Sequence, residues 1–172
     1  MSAPNDRPAF IISSDSVEEK LSKYPTSDEP LAFSRRIGRA AGLRKLGVNL
    51  VRLPPGHRAS WPHAEEKEEE FVYVLGGNVD AWVDGNLHAM AAGDFAAFPS
   101  GTGICHTFIN NSEHEVRLLV GGEADKCDNR IYYPHHPGRK NDLPWSHWWH
   151  DVPKHPQGPH GGMPNAPGKK IL

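Results

Sequence analysis

Several large classes of protein need features that this sequence lacks. Its two cysteines, Cys105 and Cys127, make no disulfide framework, so a reduced, cytoplasmic protein is expected. Its apolar runs are far shorter than the roughly 20 residues of a membrane-spanning helix, and its polar start, "MSAPNDRPAF", has no apolar signal core. The net charge is −2, and no basic stripe or nucleic-acid-binding motif is present. We therefore expect no binding to membranes or nucleic acids.

Residues that form turns are abundant, whereas patterns with the period of a helix are scarce. The chain contains 17 glycines and 16 prolines in 172 residues. Strand-like segments recur between turn signals at near-regular spacing; they are "KLGVNLVRLPPG", "EFVYVL", "NVDAWVDGNLHAM", "AAGDFAAFPSGTG", "ICHTFIN", "EVRLLVGG" and "NRIYYP". Over residues 31–133 this pattern predicts an all-β fold, either a closed antiparallel barrel or a two-sheet jelly roll.

The N-terminal arm, residues 1–30, carries the one clear helix signal. Ser16 with Glu19 three residues later makes a capping box, and Pro25 ends the run. We predict a short peripheral helix near residues 16–23.

The C-terminal tail, residues 134–172, differs in composition from the rest of the chain. It holds half of the prolines, six of the eleven histidines and three of the five tryptophans, and we expect these three, Trp145, Trp148 and Trp149, to anchor it. This much proline excludes a regular helix or a central strand, while the tryptophans argue against disorder. We predict an extended, packed tail that lies across the barrel or a neighbouring subunit. His147 and His150 would also suit a metal pair, although we favour bystander histidines on a tail anchored by tryptophan.

Two predicted strands each place an ionisable side chain on an apolar face. Because side chains alternate along a strand, Glu70 shares a face with Val72 and Val74. By the same rule His106 shares a face with Phe108. A barrel interior lined by these apolar residues would also receive the glutamate and the histidine. A carboxylate buried there has to be paired or bound to a metal.

A second pair of candidate ligands precedes the first of these strands. His63 and Glu65 are two residues apart, so on an extended segment they point the same way. With Glu70 and His106 they make two imidazoles and two carboxylates, a set that divalent first-row metals accept with one or two positions left for water or substrate. Glu65 has an equally good interpretation as a solvated loop residue.

The spacing of these residues resembles the first of two motifs of a known family. That motif has a glycine, then His-x-His, then a glutamate three or four residues later, then a glycine seven residues after the glutamate. Gly56, His63, Glu70 and Gly77 occupy its positions, with one extra residue between Gly56 and His63. Glu65 stands where the second histidine is usual.

The second motif follows at the right separation. Its pattern, Gly-x5-Pro-x-Gly-x2-His-x3-Asn, is matched by Gly93, Pro99, Gly101, His106 and Asn110, with two extra residues before the histidine. Over roughly residues 40–120 the chain thus resembles the cupin superfamily of small jelly-roll barrels. The resemblance implies a jelly-roll barrel with a metal site inside it.

Cupins usually bind metal through three histidines and one glutamate, so this resemblance implies a site with one substituted ligand. The set His63, Glu65, Glu70 and His106 is harder and more anionic, which favours Mn or Fe(II), with Zn also compatible. Loss of the metal is the other outcome that such a substitution allows.

The family hosts enzymes and binding proteins, so the fold alone does not decide the function. One hypothesis is a metal-dependent isomerase or dioxygenase that acts on a small polar metabolite such as a sugar derivative, with Glu65 or Glu70 as the proton-transfer base. The alternative is a non-catalytic cupin that binds a small molecule over a degenerate or absent metal site. The resemblance also implies a homodimer. We favour the enzyme, because no DNA-binding domain is fused to the barrel.

The remaining candidates have plainer interpretations. Glu66, Glu68 and Glu69 are expected to be surface charges or acceptors for a nearby basic residue. Cys105 points away from His106 and is expected to be a buried, inert thiol.

Overall fold

The computed structural model describes residues 7–124 and 126–165. Their strands, in chain order, are β1 (Lys20–Leu21), β2 (Phe33–Arg35), β3 (Leu46–Leu53), β4 (Ala64–Glu65), β5 (Glu70–Gly76), β6 (Asn78–Val83), β7 (Asn86–Ala91), β8 (Phe95–Phe98), β9 (His106–Ile109), β10 (Val116–Glu123) and β11 (Ile131–Tyr132). Within these ranges, helical structure is limited to α1 (Ile37–Ala40) and to 3₁₀ turns at Ser14–Ser16, Pro137–Asn141 and Trp145–His147. No helix among these residues is long and apolar enough to cross a membrane.

Two antiparallel sheets enclose the main core. The large sheet has the strand order β1-β2-β3-β10-β5-β8, and the three-stranded sheet has the order β7-β6-β9. Val72 and Leu118 of the large sheet pack with Ala81 and Phe108 of the three-stranded sheet. The predicted all-β jelly-roll architecture is confirmed.

The register of the large sheet opens one end of the barrel. Gly47, Gly122, Glu70 and Phe98 lie side by side on β3, β10, β5 and β8. Alternation puts this row on the same inner face as the buried Val72. Gly47 leaves room beside this row, since the nearest atom to a Cβ there would be 3.6 Å away. Gly122 lets the neighbouring strand approach closely, because a Cβ there would lie 2.4 Å from the backbone oxygen of Glu69.

The C-terminal tail lies across the outer face of the three-stranded sheet. Trp149 and Val152 pack on Trp82 and Ile109, whose side chains point away from the barrel interior. The backbone of the tail also bonds to the β6–β7 turn, where the N–H of Gly158 donates to a carbonyl at 2.7 Å. The tail was predicted to lie either across its own barrel or across a neighbouring subunit, and in this structure it lies across its own barrel.

Two local predictions need correction. The helix near residues 16–23 is absent: the chain makes a 3₁₀ turn at Ser14–Ser16 and then the short edge strand β1. Glu19 is held by the guanidinium of Arg52 at 2.6 Å, so its carboxylate is not available to a capping box. Trp145 does not anchor the tail, because it is 77% exposed.

The boundaries predicted at residues 30 and 133 stay predictions. The ends of the arm and the tail, residues 1–6 and 166–172, lie outside the described residues.

Candidate metal centre

Three of the four predicted ligands converge at the open end of the barrel. His63, Glu70 and His106 each offer a donor atom, and these atoms all lie within 4.8 Å of one another. Glu70 comes from the large sheet and His106 from the three-stranded sheet, so the two sheets meet at this point. The backbone of His63 pairs with that of His106, with N···O distances of 3.2 and 2.9 Å.

The Nε2 atoms of both histidines face one carboxylate oxygen. Nε2 of His106 lies 3.0 Å from Oε2 of Glu70, and Nε2 of His63 lies 3.7 Å from the same oxygen. Nδ1 of His63 lies 2.8 Å from the carbonyl oxygen of Trp61. Since a carbonyl only accepts, Nδ1 carries a proton, and loss of the Nε2 proton would present the lone pair of Nε2 to the centre.

Burial and charge oppose one another at this cluster. Burial disfavours a charged His63, but the hydrogen bond and charge of Glu70, with Glu65 beyond it, raise the pKa of His63 to about 9. Burial also disfavours ionised Glu70, yet the two histidines hold its pKa well below the usual range. The pKa of His106 is lowered, chiefly by burial. An anionic carboxylate between two imidazoles is a donor set that suits a divalent cation, which would replace the proton on His63.

Glu65 lies beside the three convergent side chains without joining them. Its Oε1 is 4.0 Å from Nε2 of His63, and its Oε2 accepts a hydrogen bond from Asn129 at 2.8 Å. Burial raises the pKa of Glu65 to about 7, and the charge of Glu70 adds to this while His63 opposes it. Its role as a fourth ligand stays a prediction. Asn129 had no signal in the sequence, because it reaches Glu65 only through the pairing of β11 with β4.

A cavity of about 260 Å³ opens next to the centre. Its walls include the inner-face residues Gly47, Asn49, Val120 and Gly122, together with the glutamates Glu65, Glu68, Glu69, Glu70 and Glu123. No lysine or arginine is among the described residues that line it. The nearby Lys126 is already paired with Glu123 at 2.5 Å.

Two of the other glutamates of the acidic run, Glu66 and Glu68, accept hydrogen bonds. Both oxygens of Glu66 accept from the guanidinium of Arg130, at 2.6 and 2.5 Å. Glu68 accepts the backbone N–H of Lys126 at 2.8 Å. These contacts connect the acidic run to the segment around β11.

Two further candidates have no part in the centre. Cys105 is buried, and burial raises the pKa of its thiol to about 12, which agrees with an inert role. In the described part of the tail, His147 and His150 join no group of three convergent ligands. The ring of His150 instead packs on Trp145, with a centroid distance of 3.7 Å.

Similar proteins agree with this architecture. A family model described as "Cupin domain" matches residues 49–122. A sugar phosphate isomerase of a cupin superfamily from Silicibacter pomeroyi DSS-3 is 36% identical, with 72% of this chain and 80% of that chain covered and a TM-score of 0.65. A proposed sugar phosphate isomerase from Acidithiobacillus ferrooxidans is 25% identical, with 74% and 83% covered and a TM-score of 0.66.

A more distant structure shares the fold alone. The polyketide cyclase RemF from Streptomyces resistomycificus is 18% identical, with 81% of this chain and 98% of that chain covered and a TM-score of 0.59. No protein of curated function is significantly similar. The family model, the 36% identity and the two-sheet barrel together lead to one conclusion: the chain belongs to the cupin superfamily.

Proposed function

We propose that this protein is a metal-dependent isomerase that moves a proton between adjacent carbons of an uncharged sugar derivative. The observation that carries this proposal is the position of Glu65. Its carboxylate lies 4.0 Å from Nε2 of His63, beside the convergent ligands but outside their group. A carboxylate in that position is available for proton transfer next to a metal-bound substrate.

His63, Glu70 and His106 would hold a divalent cation, for which Mn, Fe and Zn are candidates. When bound, the cation would supply a Lewis acid that polarises the substrate carbonyl. Two imidazoles and one carboxylate leave further coordination positions for the substrate oxygens. Glu70 is engaged with both histidines, so we assign it to the metal and not to proton transfer.

Glu65 would act as the general base: it would take the proton from the hydroxyl-bearing carbon and return it to the neighbouring carbonyl carbon, while the hydroxyl proton passes to the former carbonyl oxygen. The Asn129 amide holds one oxygen of Glu65 at 2.8 Å, and the other oxygen faces the centre. This hydrogen bond fixes the orientation of the carboxylate without neutralising it. The reaction class agrees with that of the similar protein from Silicibacter pomeroyi, a sugar phosphate isomerase.

The lining of the cavity favours a substrate without a phosphate group. Five glutamates and no basic side chain line the described part of the cavity. Lys126 and Arg130 are both already paired with carboxylates, at 2.5 Å in each case. A phosphate dianion would meet repulsion there, whereas the hydroxyl groups of a neutral sugar would find acceptors.

The test follows the proton directly. Protein loaded with Mn²⁺ is incubated in D₂O with a panel of unphosphorylated aldoses and with their phosphates, and ¹H NMR records both product formation and deuterium entry at the carbon next to the carbonyl. We expect turnover of a neutral sugar, and a loss of at least about 100-fold in Glu65→Gln. Glu68→Gln, which changes another glutamate of the same cavity, is the matched control and should stay active.

His106→Ala should lose bound metal and turnover while keeping the barrel. Full metal content in this variant would show that the ligand assignment is wrong. Full activity in Glu65→Gln would overturn its role as the base, and a preference for the phosphates would overturn the substrate class. Stoichiometric metal without proton exchange would identify a binding protein, and oxygen uptake without exchange would identify an oxygenase.

A further inference from the structure

A partly buried cluster next to the metal centre joins all three parts of the chain. We call it the Trp61 clamp; it consists of Tyr24 and Glu29 from the arm, Arg58 and Trp61 from the barrel, and His136 from the tail. Both Tyr24 and His136 stack on the indole of Trp61, with centroid distances of 4.0 and 3.9 Å. Two nearly parallel rings this close to one centroid must occupy opposite faces, so the indole is held between the arm and the tail.

An ion pair closes the clamp from the side. Arg58 is only 1% exposed, and its guanidinium donates to both oxygens of Glu29 at 2.7 Å. The indole N–H of Trp61 donates to the same carboxylate at 3.0 Å. Arg58 also donates to the backbone carbonyl of Gly162 in the tail at 2.8 Å. A buried ion pair is tolerated only when its hydrogen bonds are satisfied, so these contacts define one geometry.

The clamp reaches the metal centre through the backbone of Trp61. Its carbonyl oxygen accepts the Nδ1 proton of His63 at 2.8 Å, and this bond sets both the tautomer and the direction of Nε2. The ring of Tyr133 stacks near His63, with a centroid distance of 5.9 Å, and limits rotation of the imidazole. Partners of this kind commonly orient metal-binding histidines and raise metal affinity.

We propose that Trp61 is a positioning residue that couples the N-terminal arm and the C-terminal tail to the metal centre. The indole is held by Tyr24, Glu29 and His136, so the carbonyl of the same residue holds His63 in its ligating orientation. The arm and the tail then determine metal affinity although neither contributes a ligand. This inference rests on the proposed metal centre.

The test measures metal affinity after the clamp is loosened from a distance. Co²⁺ is titrated into metal-free protein by calorimetry, and its visible absorption spectrum reports the ligand geometry. His136→Ala removes one stacking ring and should weaken Co²⁺ binding about tenfold to 100-fold and alter the spectrum. His136→Phe restores a flat ring and should recover most of the affinity.

The neighbouring His135→Ala is the matched control, because the ring of His135 packs on Trp82 and not on the clamp. It should bind Co²⁺ like the wild type. Tyr24→Leu loosens the clamp from the opposite side and should act like His136→Ala, which keeps the test decisive if one variant folds poorly. Circular dichroism of each metal-free variant verifies that it is folded.

The outcomes separate this inference from the metal centre itself. If the wild type binds no Co²⁺, or if His63→Ala binds it fully, the proposed centre is wrong. If the wild type binds and His63→Ala does not, while His136→Ala and Tyr24→Leu bind like the wild type, the centre stands and the coupling is rejected. Equal losses in His135→Ala and His136→Ala would also reject it.

Discussion

The two outer faces of the barrel differ in what covers them. On the three-stranded sheet, the outward-pointing Trp82 is 0% exposed, because the C-terminal tail lies over it. On the large sheet, Phe95 points outward in a similar way and is 59% exposed, with Tyr73 and Leu75 exposed beside it. Both faces carry large apolar residues. Alternation along a strand therefore identifies the outward side chains, but the rest of the chain decides which of them become core.

The largest expected effect comes from removing one anchor of the tail. Trp149→Ala should destabilise the protein by about 3–5 kcal/mol, because a buried tryptophan leaves a large cavity over Trp82. Trp145→Ala, in the same tail but at an exposed ring, should stay within about 0.5 kcal/mol of the wild type. Urea unfolding followed by circular dichroism measures both. Equal effects would mean that the tail does not cover the three-stranded sheet in solution.

A methyl group at the β6–β7 turn should separate the tail from the barrel more mildly. A Cβ on Gly85 would lie 2.4 Å from backbone atoms of Gly158. A Cβ on Gly93 would have no neighbour within 4 Å, although both glycines have a positive φ, +83° and +99°. Gly85→Ala and Gly93→Ala should each lose about 1–2 kcal/mol of stability from backbone strain. Gly85→Ala should lose about 1–3 kcal/mol more from the clash, and a matching loss at both sites in urea unfolding would contradict the close approach of the tail.

Lowering the pH should reduce the stability that His136 of the Trp61 clamp contributes to the folded protein. Burial and the adjacent Arg58 guanidinium lower the pKa of His136 to about 4. Its pKa in an unfolded chain is about 6.5, so between these values the unfolded chain binds more protons and the contribution of neutral His136 is lost as the pH falls. The stability of metal-free wild type relative to His136→Phe should therefore decrease from pH 7 to pH 4.5 in urea unfolding. A constant difference would show that His136 does not pack beside Trp61 and Arg58 in solution.

Local sequence patterns predicted much of the barrel. The alternation in "EFVYVL" and "HTFIN" indicated that Glu70 and His106 point inward. Both strands also end close to the turn-forming residues that flank these segments in the sequence. Asp84 and Gly85, the Asp-Gly pair between β6 and β7, both have the positive φ that a tight hairpin turn needs, at 44° and 83°. Such features depend on neighbours a few residues away, which a single sequence displays.

Contacts between distant segments were not predictable in the same way. Arg58 meets Glu29 and Gly162 only after the arm and tail have folded onto the barrel. The predicted helix near residues 16–23 failed for a related reason, because Arg52, a residue of β3, takes the carboxylate of Glu19. Local propensity is a weak preference that such tertiary contacts override.

A substitution on the exposed outer face of the large sheet should change the oligomeric state of the protein and leave the stability of the monomer nearly unchanged. We expect a homodimer that buries the outer face of the large sheet, where Phe95 stacks with Phe71 at a centroid distance of 5.5 Å. Phe95→Glu would place a charge in that apolar interface and should shift the protein to a monomer in analytical ultracentrifugation. Because Phe95 is exposed in the single chain, the free energy of unfolding of the monomer should change by less than about 0.5 kcal/mol.

The matched control for this last substitution is Phe10→Glu, at a phenylalanine of the arm that is 70% exposed and lies outside the sheet. It should leave the dimer intact. A wild-type monomer would reject the dimer altogether. If Phe95→Glu is still a dimer, the interface lies on another face of the barrel. Deleting residues 134–172 would then test whether the C-terminal tail forms part of that interface. A large loss of stability in Phe95→Glu at monomer concentrations would show that a segment of the same chain covers this face too, and the contrast between the two faces would disappear.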